Sequence, residues 1–551
     1  MLKEFYEKHK NALFILGVVI VTYFLYFHNL GNFKLLDVDE TRYVDMSRCM
    51  RETGDYMTLF LNGEYFFEKP PLFFWLENIS FAVFNTVNEF TARVPGCIEG
   101  IFAAIVLFFT TKKFTKNTKW AALSALVLLC SAEFLILSKT AILDILLGSM
   151  VTISVLCGFM TFVAEEKQKK FYWWGFYLFS ALGVLGKGIP AIAVPFGIMF
   201  IAGLYTKKFK EYFRPQYFLV GLAMFFAVVI PWHKLMLSMY DPLFFDEYII
   251  KHHLARFLGA DVINRDRPFL FYVPVILWGI LPFMASFIAL LAEKTANFCK
   301  GFSGFKNIKL PVFDEMDKEG QFVALSVIGT LVTFLFFSVS GTKLITYIIP
   351  IYPYLAVLLA KYWLEYIDNV EHKKGIEISS MIFYYLLIIA GIGFVIAIQF
   401  IPEPIKGDLL TIVTPITVAT IVFPVIGIVA IKKENRKLLF ASYVLFMAAL
   451  SGFAHHKILE MDYRFGQNDL IEYAQYAKEN NLNINTFETG RRYSLLYYSG
   501  KKVVFDIPEE DFAHVISEPQ NIIIVRKKEL GKVPVKATIL KEGRKYVLLT
   551  K

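Results

Sequence analysis

Two short clusters of acidic and basic residues near the start of the chain contain the side chains best suited to chemistry. The first cluster consists of Asp37, Asp39, Glu40 and Arg42, and the second consists of Glu68 and Lys69 before two prolines. A carboxylate beside a cation can accept a proton from a hydroxyl group while the cation binds a phosphate. Both patterns also fit ordinary structure, because Asp39 can cap a helix and a Glu–Lys pair before proline can begin one. The clusters alone leave both interpretations open.

Further polar residues interrupt apolar stretches later in the chain, at Asp144, Lys187, His252, His253, Arg256, Lys343 and Tyr347. An ionisable group in a membrane-crossing stretch costs about 2.5–3.5 kcal/mol on insertion scales, so Asp144 is expected to face a cavity or a partner. Lys139 is the structural alternative for that partner. The two adjacent histidines do not have the spacing of a dedicated metal site. The glycine turns beside Lys187 and Lys343 fit either a phosphate contact or an ordinary tight turn.

The composition shows what kind of scaffold must position these residues. Of the 551 residues, 56% are hydrophobic, 17% are aromatic and only 19% are charged. This excludes intrinsic disorder and argues against an ordinary soluble enzyme. The five cysteines form no CxxC pair, so neither a zinc module nor a disulfide framework is indicated. The basic residues behind the net charge of +9 fall between apolar stretches, which indicates membrane topology and no nucleic-acid partner.

Apolar stretches of a length that could cross a membrane recur along most of the chain. A crossing takes about 20 apolar residues. Thirteen spans are predicted near 11–28, 93–111, 120–138, 141–163, 171–186, 188–205, 216–239, 269–291, 321–340, 343–361, 379–401, 409–431 and 437–454. The stretch 171–205 can also be interpreted as one re-entrant pair. The first span lacks a small-residue cleavage site and is therefore expected to be retained.

The distribution of basic residues predicts the orientation of these spans. With the N-terminus on the cytoplasmic side, the segments on that side carry 26 Lys and Arg residues, whereas the four short outer turns carry one each. This asymmetry is what the positive-inside rule expects of an odd number of spans. Residues from about 455 to 551 are then outside, where a helix near 468–480 and short β-type runs predict a small α/β domain.

All the polar clusters lie on the outer face under this topology. A cavity there that contains Lys, Arg and a few carboxylates suits a lipid phosphate. An ion channel would line whole spans with polar residues, and the spans are almost entirely apolar. A secondary transporter would show interrupted helices near the membrane midplane, and none is evident from the sequence.

Seven short motifs occur here in an order that resembles membrane glycosyltransferases of the C-type fold. They are DETRY (39–43), FEKPP (67–71), AILD (141–144), GKG (186–188), HLARF (253–257), RPFLFYVPV (267–275) and FFSVSGTKLITY (336–347). The resemblance is to the group that includes protein O-mannosyltransferases and lipid A aminoarabinose transferases, and it covers about residues 30–350. It implies an all-α polytopic membrane protein of the GT-C fold, with about 13 transmembrane helices. The domains would be a glycosyltransferase domain at 1–454, with its catalytic outer loop at 29–92, and a periplasmic α/β domain at 455–551.

The resemblance also implies roles for individual residues. Asp39 would be the general base, and Glu40 and Asp144 would complete a catalytic set. The lipid phosphate would be bound by Arg42, Lys69, Arg256, Tyr347, Lys187 and Lys343. Glu68 and His253 would hold a divalent ion such as Zn, Mg or Mn, although no cofactor is required. This sequence departs from the group at Phe66, where a tyrosine is expected, and Tyr65 is adjacent.

The implied activity is inverting transfer of a sugar from polyprenyl (undecaprenyl) phosphate to an envelope acceptor at the periplasmic face. The acceptor would be lipid A, another glycan or a protein. Transfer of 4-amino-4-deoxy-L-arabinose to lipid A is the leading hypothesis. A protein O-mannosyltransferase or another lipid or glycan glycosyltransferase is the enzyme alternative. A polyprenyl-phosphate transporter or flippase is the alternative from another class. The expected location is the bacterial inner membrane, with a cytoplasmic N-terminus.

Overall fold

The computed structural model describes residues 16–255, 267–301, 311–368, 374–403, 405–461 and 466–551. Most of the described residues before Phe400 are helical. The helices before residue 250 are α1 Leu16–Tyr26, α2 Asp39–Thr53, α3 Leu72–Phe84, α4 Glu89–Thr115, α5 Thr118–Cys130, α6 Ala132–Ser138, α7 Leu143–Met160, α8 Glu166–Lys187, α9 Pro190–Tyr205 and α10 Pro215–Tyr240. The next are α11 Tyr272–Gly279, α12 Met284–Gly301, α13 Lys318–Val339, α14 Tyr352–Ile367, α15 Lys374–Ala397, α16 Ile405–Thr417, α17 Phe423–Lys432, α18 Arg436–Ala449 and α19 His455–Glu460.

The described residues confirm a membrane protein with many spans. Eight helical segments among them are long and apolar enough to cross a membrane, or nine when α5 and α6, which meet at a 66° bend, count as one. Each of the thirteen predicted stretches contains apolar helix within its described residues. Some of these helices are short: α9 and α11 have 16 and 8 residues. The stretch 171–205 forms two separate helices, α8 and α9.

Helix α7 lies at the centre of the helical bundle. It is apolar on all sides, as expected for a helix with no face exposed to water. Of its 18-residue window, 89% is buried inside the protein, compared with 22% for the span at Lys374–Phe400. Asp144 lies in its first turn, where the helix dipole favours a carboxylate. The most buried of the candidate spans therefore carries one of the candidate site residues.

The loop 29–92, which the sequence predicts on the outer face, folds into two helices and a short hairpin. Helix α2 begins at Asp39 and ends at Thr53, and the capping residue Gly54 has a φ of +74°, which suits glycine. The strands β1 Phe60–Leu61 and β2 Glu64–Tyr65 pair antiparallel. Helix α3 then starts directly after Pro71. This compact arrangement places Arg42 on α2 close to Glu68, which precedes α3.

The C-terminal residues form the small α/β domain expected from the sequence. Its elements are α20 Gln467–Glu479, β3 Asn483–Phe487, α21 Ser494–Ser499, β4 Val503–Val504, α22 Glu509–Ser517, β5 Asn521–Arg526, β6 Thr538–Glu542 and β7 Tyr546–Thr550. The strands form one five-stranded sheet in the order β4-β3-β5-β7-β6. Strand β5 is central and buried on both faces, which explains its continuous apolar run. The last candidate span reaches Glu460, so the sheet domain follows it directly.

Candidate functional site

A cavity of about 390 Å³ lies where several of the sequence motifs meet. Its polar lining consists of Glu68, Lys69, Lys187, His252, Ser340, Thr342 and Tyr347. Its apolar lining consists of Leu147, Ile189, Pro190, Ala193, Phe336 and Phe337. A mostly apolar wall with a few convergent charged groups is the usual composition of a ligand site. The cavity suits an amphiphile with a charged head and an apolar chain.

Lys187, the last residue of α8, brings two other predicted site residues together. Its Nζ lies 2.5 Å from Oδ1 of Asp144 and 4.9 Å from the centre of the Tyr347 ring. Lys187 and Asp144 are both largely buried, with side chains 13% and 14% exposed. Asp144 is thus paired with Lys187, whereas Lys139, the alternative partner, donates to the backbone and hydroxyl oxygens of Ser451. The Asp144–Lys187 pair fixes an ammonium group at the cavity wall.

Glu68 is surrounded by three basic side chains. Its carboxylate lies 4.0 Å from Arg42, 3.8 Å from Lys69 and 3.9 Å from His252. The Nζ of Lys69 also donates to the Glu68 backbone oxygen at 3.1 Å. Burial lowers the pKa of His252, while the neighbouring carboxylates of Glu68 and Glu247 act in the opposite direction. The cluster presents Arg42 and Lys69 around one carboxylate, and a phosphate can share these cations.

Asp39 lies outside the cavity lining and reaches it through Arg42. The Asp39 side chain is 62% exposed, and its Oδ1 accepts a hydrogen bond from Nη2 of Arg42 at 2.7 Å. The Arg42 guanidinium lies 5.6 Å from the ring of Phe66, the position at which the resemblance leads us to expect a tyrosine. Phe66 therefore packs against the arginine without offering a hydroxyl. An exposed carboxylate at the rim is accessible to a second substrate that approaches from outside.

Glu40 has a different environment from the other candidate catalytic residues. It is only 2% exposed, and it accepts from Nε and Nη2 of Arg93 at 2.9 Å each. It also accepts from the backbone N–H groups of Leu36 at 2.8 Å and Ala141 at 2.7 Å. These four bonds occupy both oxygens, so the geometry favours a positioning role over the catalytic role expected from the sequence. Arg93 belongs to none of the sequence motifs. Its position in an otherwise apolar span is the one sequence feature that could have indicated a role for it.

The structure does not place the other three predicted residues, Lys343, Arg256 and His253, in the described cavity lining. Lys343 turns back and donates to the Ser340 carbonyl at 2.7 Å, so it shapes the turn that lines the cavity. Arg256 lies outside the described residues, as does the side chain of His253. The described histidine beside Glu68 is its sequence neighbour His252.

The described residues do not fit a resident metal ion. They contain no group of three or more His, Cys, Asp or Glu side chains placed to hold one. His252 has two carboxylates nearby, Glu247 at 3.3 Å and Glu68 at 3.9 Å, but the three side chains are not placed as a common set of ligands. A structural or catalytic metal site usually takes three or four protein ligands.

The C-terminal domain holds the Asp39 loop in place, a role that the sequence motifs did not reveal. The Asp37 carboxylate accepts from the backbone N–H of Ser494 at 2.8 Å and from its hydroxyl at 2.6 Å. The backbone N–H of Leu35 donates to the Tyr498 hydroxyl at 2.9 Å. On the hairpin side, Asn62 and Val503 exchange two hydrogen bonds at 2.9 and 3.0 Å. The loop is thus fixed between the bundle and the sheet domain.

Comparison with known protein families and sequences identifies similar proteins. Residues 11–241 match the family described as dolichyl-phosphate-mannose-protein mannosyltransferase. An undecaprenyl phosphate-alpha-4-amino-4-deoxy-L-arabinose arabinosyl transferase 2 of Proteus mirabilis is 27% identical over 390 residues, 70% of this chain and 65% of the relative. A transferase of the same description from Pectobacterium atrosepticum is 27% identical over 80% of this chain and 76% of the relative. The match spans slightly less than two thirds of the Proteus protein's own length.

Solved structures agree on the fold. ArnT from Cupriavidus metallidurans bound to undecaprenyl phosphate superposes with a TM-score of 0.77 at 17% identity, and covers 98% of both chains. The archaeal oligosaccharyltransferase AglB from Archaeoglobus fulgidus gives 0.51 at 11% identity over 95% of this chain and 70% of AglB. The GT-C fold predicted from the motifs is confirmed. The resemblance to the O-mannosyltransferase and aminoarabinose transferase group is confirmed as well.

Proposed function

We propose that the chain is a membrane glycosyltransferase. It takes a sugar from an undecaprenyl phosphate donor and transfers it to an envelope acceptor, with 4-amino-4-deoxy-L-arabinose transfer to lipid A as the leading case. The observation that carries the proposal is the cavity that places Lys69 and Lys187 opposite an apolar wall. The sequence similarity to the arabinosyl transferases supports the same choice of donor and sugar.

The donor's two chemical parts match the two parts of the cavity. Its phosphate would meet the ammonium groups of Lys69 and Lys187, both of which line the cavity. Its isoprenoid chain would lie along the apolar residues Ile189, Phe336 and Phe337. Of these, Ile189 is about half exposed, so an apolar chain would have a route out of the cavity at this residue. Burial of the chain and charge pairing of the phosphate act together in binding.

Transfer with inversion needs a base on one side of the sugar and a stabilised leaving group on the other. The Asp39 carboxylate would accept the proton of the acceptor hydroxyl as its oxygen bonds to the anomeric carbon. The bond between that carbon and the phosphate oxygen breaks, and undecaprenyl monophosphate leaves. Cations at the cavity stabilise the charge that develops on the phosphate. Arg42 connects the two events, because it contacts Asp39 at 2.7 Å and lies 4.0 Å from Glu68.

The proposed location is the bacterial inner membrane, with a cytoplasmic N-terminus and the sheet domain on the periplasmic face. The excess of Lys and Arg on one set of loops supports this orientation. The contact between Asp37 and Ser494 supports a sheet domain on the same side of the membrane as the Asp39 loop. We also propose that transfer requires no cofactor, since the polyprenyl phosphate already carries a competent leaving group.

The mannosyltransferase family match over residues 11–241 supports a second candidate, protein O-mannosylation by the same chemistry. Mass spectrometry of lipid A and of secreted proteins, from cells with and without the gene, separates the two. Loss of the aminoarabinose mass increment from lipid A supports the first candidate. Loss of hexose from secreted proteins supports the second. A transporter would move labelled undecaprenyl phosphate across vesicles without any acceptor, and that result would overturn the enzyme proposal.

Binding of the donor lipid is tested by thermal unfolding of the purified chain with and without undecaprenyl phosphate. A specific ligand at about 100 times its Kd stabilises a protein by about 2.7 kcal/mol. We expect the wild type to be stabilised and Lys69→Ala to lose most of this effect. Lys34→Ala is the matched control, because Lys34 lies in the same loop with its side chain 52% exposed and is absent from the cavity lining. Equal stabilisation of all three proteins would contradict the assigned site.

A further inference from the structure

A second cavity, of about 450 Å³, lies on the sheet domain and is strongly basic. Its lining consists of Tyr546 and six cationic side chains, Arg492, Arg526, Lys527, Lys528, Arg544 and Lys545. We call it the basic cleft. No carboxylate is among these lining residues. The donor-site cavity, in contrast, has Glu68 in its lining and lies among the membrane-embedded helices.

Backbone pairing holds the cations of the basic cleft together against their mutual repulsion. Strand β5 ends at Arg526, which lies opposite Tyr546 at the start of β7. The Lys527 backbone N–H donates to the Lys545 carbonyl at 2.9 Å. The sheet register therefore brings basic residues from two distant chain segments to one point. Like charges that a fold concentrates in this way raise the local potential and attract an anion.

The acids that pair with these cations lie outside the cleft. Lys527 pairs with Glu542 at 2.8 Å, and Lys528 pairs with Glu529 at 3.3 Å. Ion pairs between solvent-exposed side chains contribute about 0–1 kcal/mol to stability, so an incoming phosphate can compete with these carboxylates for the same cations. The cleft thus has the composition of a phosphate site.

The cleft extends from the beginning of a candidate membrane span towards the Asp39 loop. At one end Arg544 donates to Asp408 at 2.7 Å, and Asp408 lies in the first turn of α16, the beginning of a candidate span. At the other end Arg492 precedes Ser494, the residue that binds Asp37, by only two positions. A ligand bound between them would be near the lipid headgroups and near the candidate general base.

We propose that the basic cleft binds a phosphate on the headgroup of a membrane lipid, and that this lipid is the acceptor presented to Asp39. The acceptor part of this inference rests on the proposed glycosyltransferase function, whereas the binding part does not. The cleft would hold the acceptor phosphate while an adjacent hydroxyl reaches the loop. Lys69 and Lys187 would hold the donor phosphate separately.

The experiment measures binding of three probes to the full-length chain in detergent. The probes are short-chain phosphatidic acid, short-chain phosphatidylcholine and inorganic phosphate. The test variant is Lys527→Gln with Lys528→Gln. The control is Lys536→Gln with Lys551→Gln, which removes the same charge from exposed lysines that do not line the cleft. Microscale thermophoresis at two salt concentrations gives the Kd of each probe for the wild type, the test variant and the control variant.

The expected result is that wild type and control bind phosphatidic acid more tightly than inorganic phosphate and bind phosphatidylcholine least. In the test variant the Kd for phosphatidic acid should rise at least about tenfold, as loss of charge-assisted hydrogen bonds predicts. Equal Kd values for phosphatidic acid and inorganic phosphate would overturn the lipid as the source of the phosphate. An equal Kd for phosphatidic acid in test variant and control would overturn the cleft as its site.

Donor binding separates this inference from the proposed function. Undecaprenyl phosphate should stabilise the Lys527→Gln, Lys528→Gln variant as it stabilises the wild type, because the donor cavity contains neither lysine. If the donor fails to stabilise any protein while the cleft still binds phosphatidic acid, the glycosyltransferase proposal fails and phosphate binding at the cleft stands. If the donor binds and the cleft variant transfers sugar to the lipid acceptor at the wild-type KM, the acceptor assignment fails alone.

Discussion

The Ser494 hydroxyl of the sheet domain donates to the Asp37 carboxylate at 2.6 Å, across 457 positions of sequence. The Ser494 backbone N–H donates to the same carboxylate at 2.8 Å. Burial raises the pKa of Asp37, and these two bonds together with one from Thr41 act in the opposite direction. Because Asp37 precedes Asp39 by two residues, the sheet domain fixes the position of the candidate general base.

Ser494→Ala should lower the transfer rate more than it lowers stability. It removes one hydrogen bond, worth about 0.5–1.5 kcal/mol, and leaves the backbone donor in place. The loosened loop should reduce kcat several-fold while the KM for the donor is unchanged. Kinetics and thermal unfolding check this together. Ser517→Ala is the control, because the Ser517 hydroxyl donates locally to the His514 carbonyl in the same domain. An equal fall in kcat in Ser517→Ala would show that the Ser494–Asp37 bond has no specific effect on transfer.

Asp39→Asn should abolish transfer without affecting folding or donor binding. The side chain is 62% exposed, so its amide replacement carries little structural cost, but an amide cannot accept the acceptor proton. Transfer assays and the thermal shift with undecaprenyl phosphate are the measurements. Glu52→Gln, at an exposed position in the same helix, should transfer normally. An active Asp39→Asn enzyme would show that another group is the base.

Glu40→Gln should destabilise the protein, in contrast to Asp39→Asn. The Glu40–Arg93 pair is almost completely buried, with side chains 2% and 0% exposed. Removal of one partner of such a pair leaves a buried charge uncompensated and costs about 3–5 kcal/mol. Thermal unfolding measures the loss. The exposed pair Lys541–Glu472 supplies the comparison, since Glu472→Gln should cost less than about 1 kcal/mol.

The neighbouring acids Asp39 and Glu40 show how far the sequence could lead. The motif order predicted the GT-C fold and assigned Lys69, Lys187 and Tyr347 to one site. This was possible because each of these residues stands in a short motif that can be recognised in the sequence alone. The difference between an exposed Asp39 and a buried Glu40 depends on Arg93, which is 53 positions from Glu40 along the chain. No local pattern reports a contact of that kind. For the same reason the sequence did not predict the Ser494–Asp37 contact, which depends on domain packing, or the basic cleft, which depends on the sheet register.

Transfer should persist when divalent ions are removed. Among the described residues, His252 has the carboxylates of Glu247 and Glu68 at 3.3 and 3.9 Å, but no three donors are placed to hold a metal ion, and a resident metal site usually has three or four protein ligands. We therefore expect wild-type rates in excess EDTA with a purified donor and acceptor. Addition of zinc, magnesium or manganese after chelation is the complementary measurement. Loss of activity in EDTA with recovery on addition of one of these ions would show that a metal takes part.

Lys187→Met should weaken donor binding more than it slows the chemical step. The ammonium group lies at the cavity wall, paired with Asp144 at 2.5 Å, and its loss leaves that carboxylate without its partner beside an incoming phosphate. Charge-assisted hydrogen bonds to phosphate are worth about 1.5–3 kcal/mol, so the KM for the donor should rise about tenfold or more. The double variant Asp144→Asn, Lys187→Met should recover part of this loss, because the unpaired negative charge is gone. A double-mutant cycle on donor affinity measures the recovery. If the two changes were simply additive, Asp144 and Lys187 would not act as a unit in binding the donor.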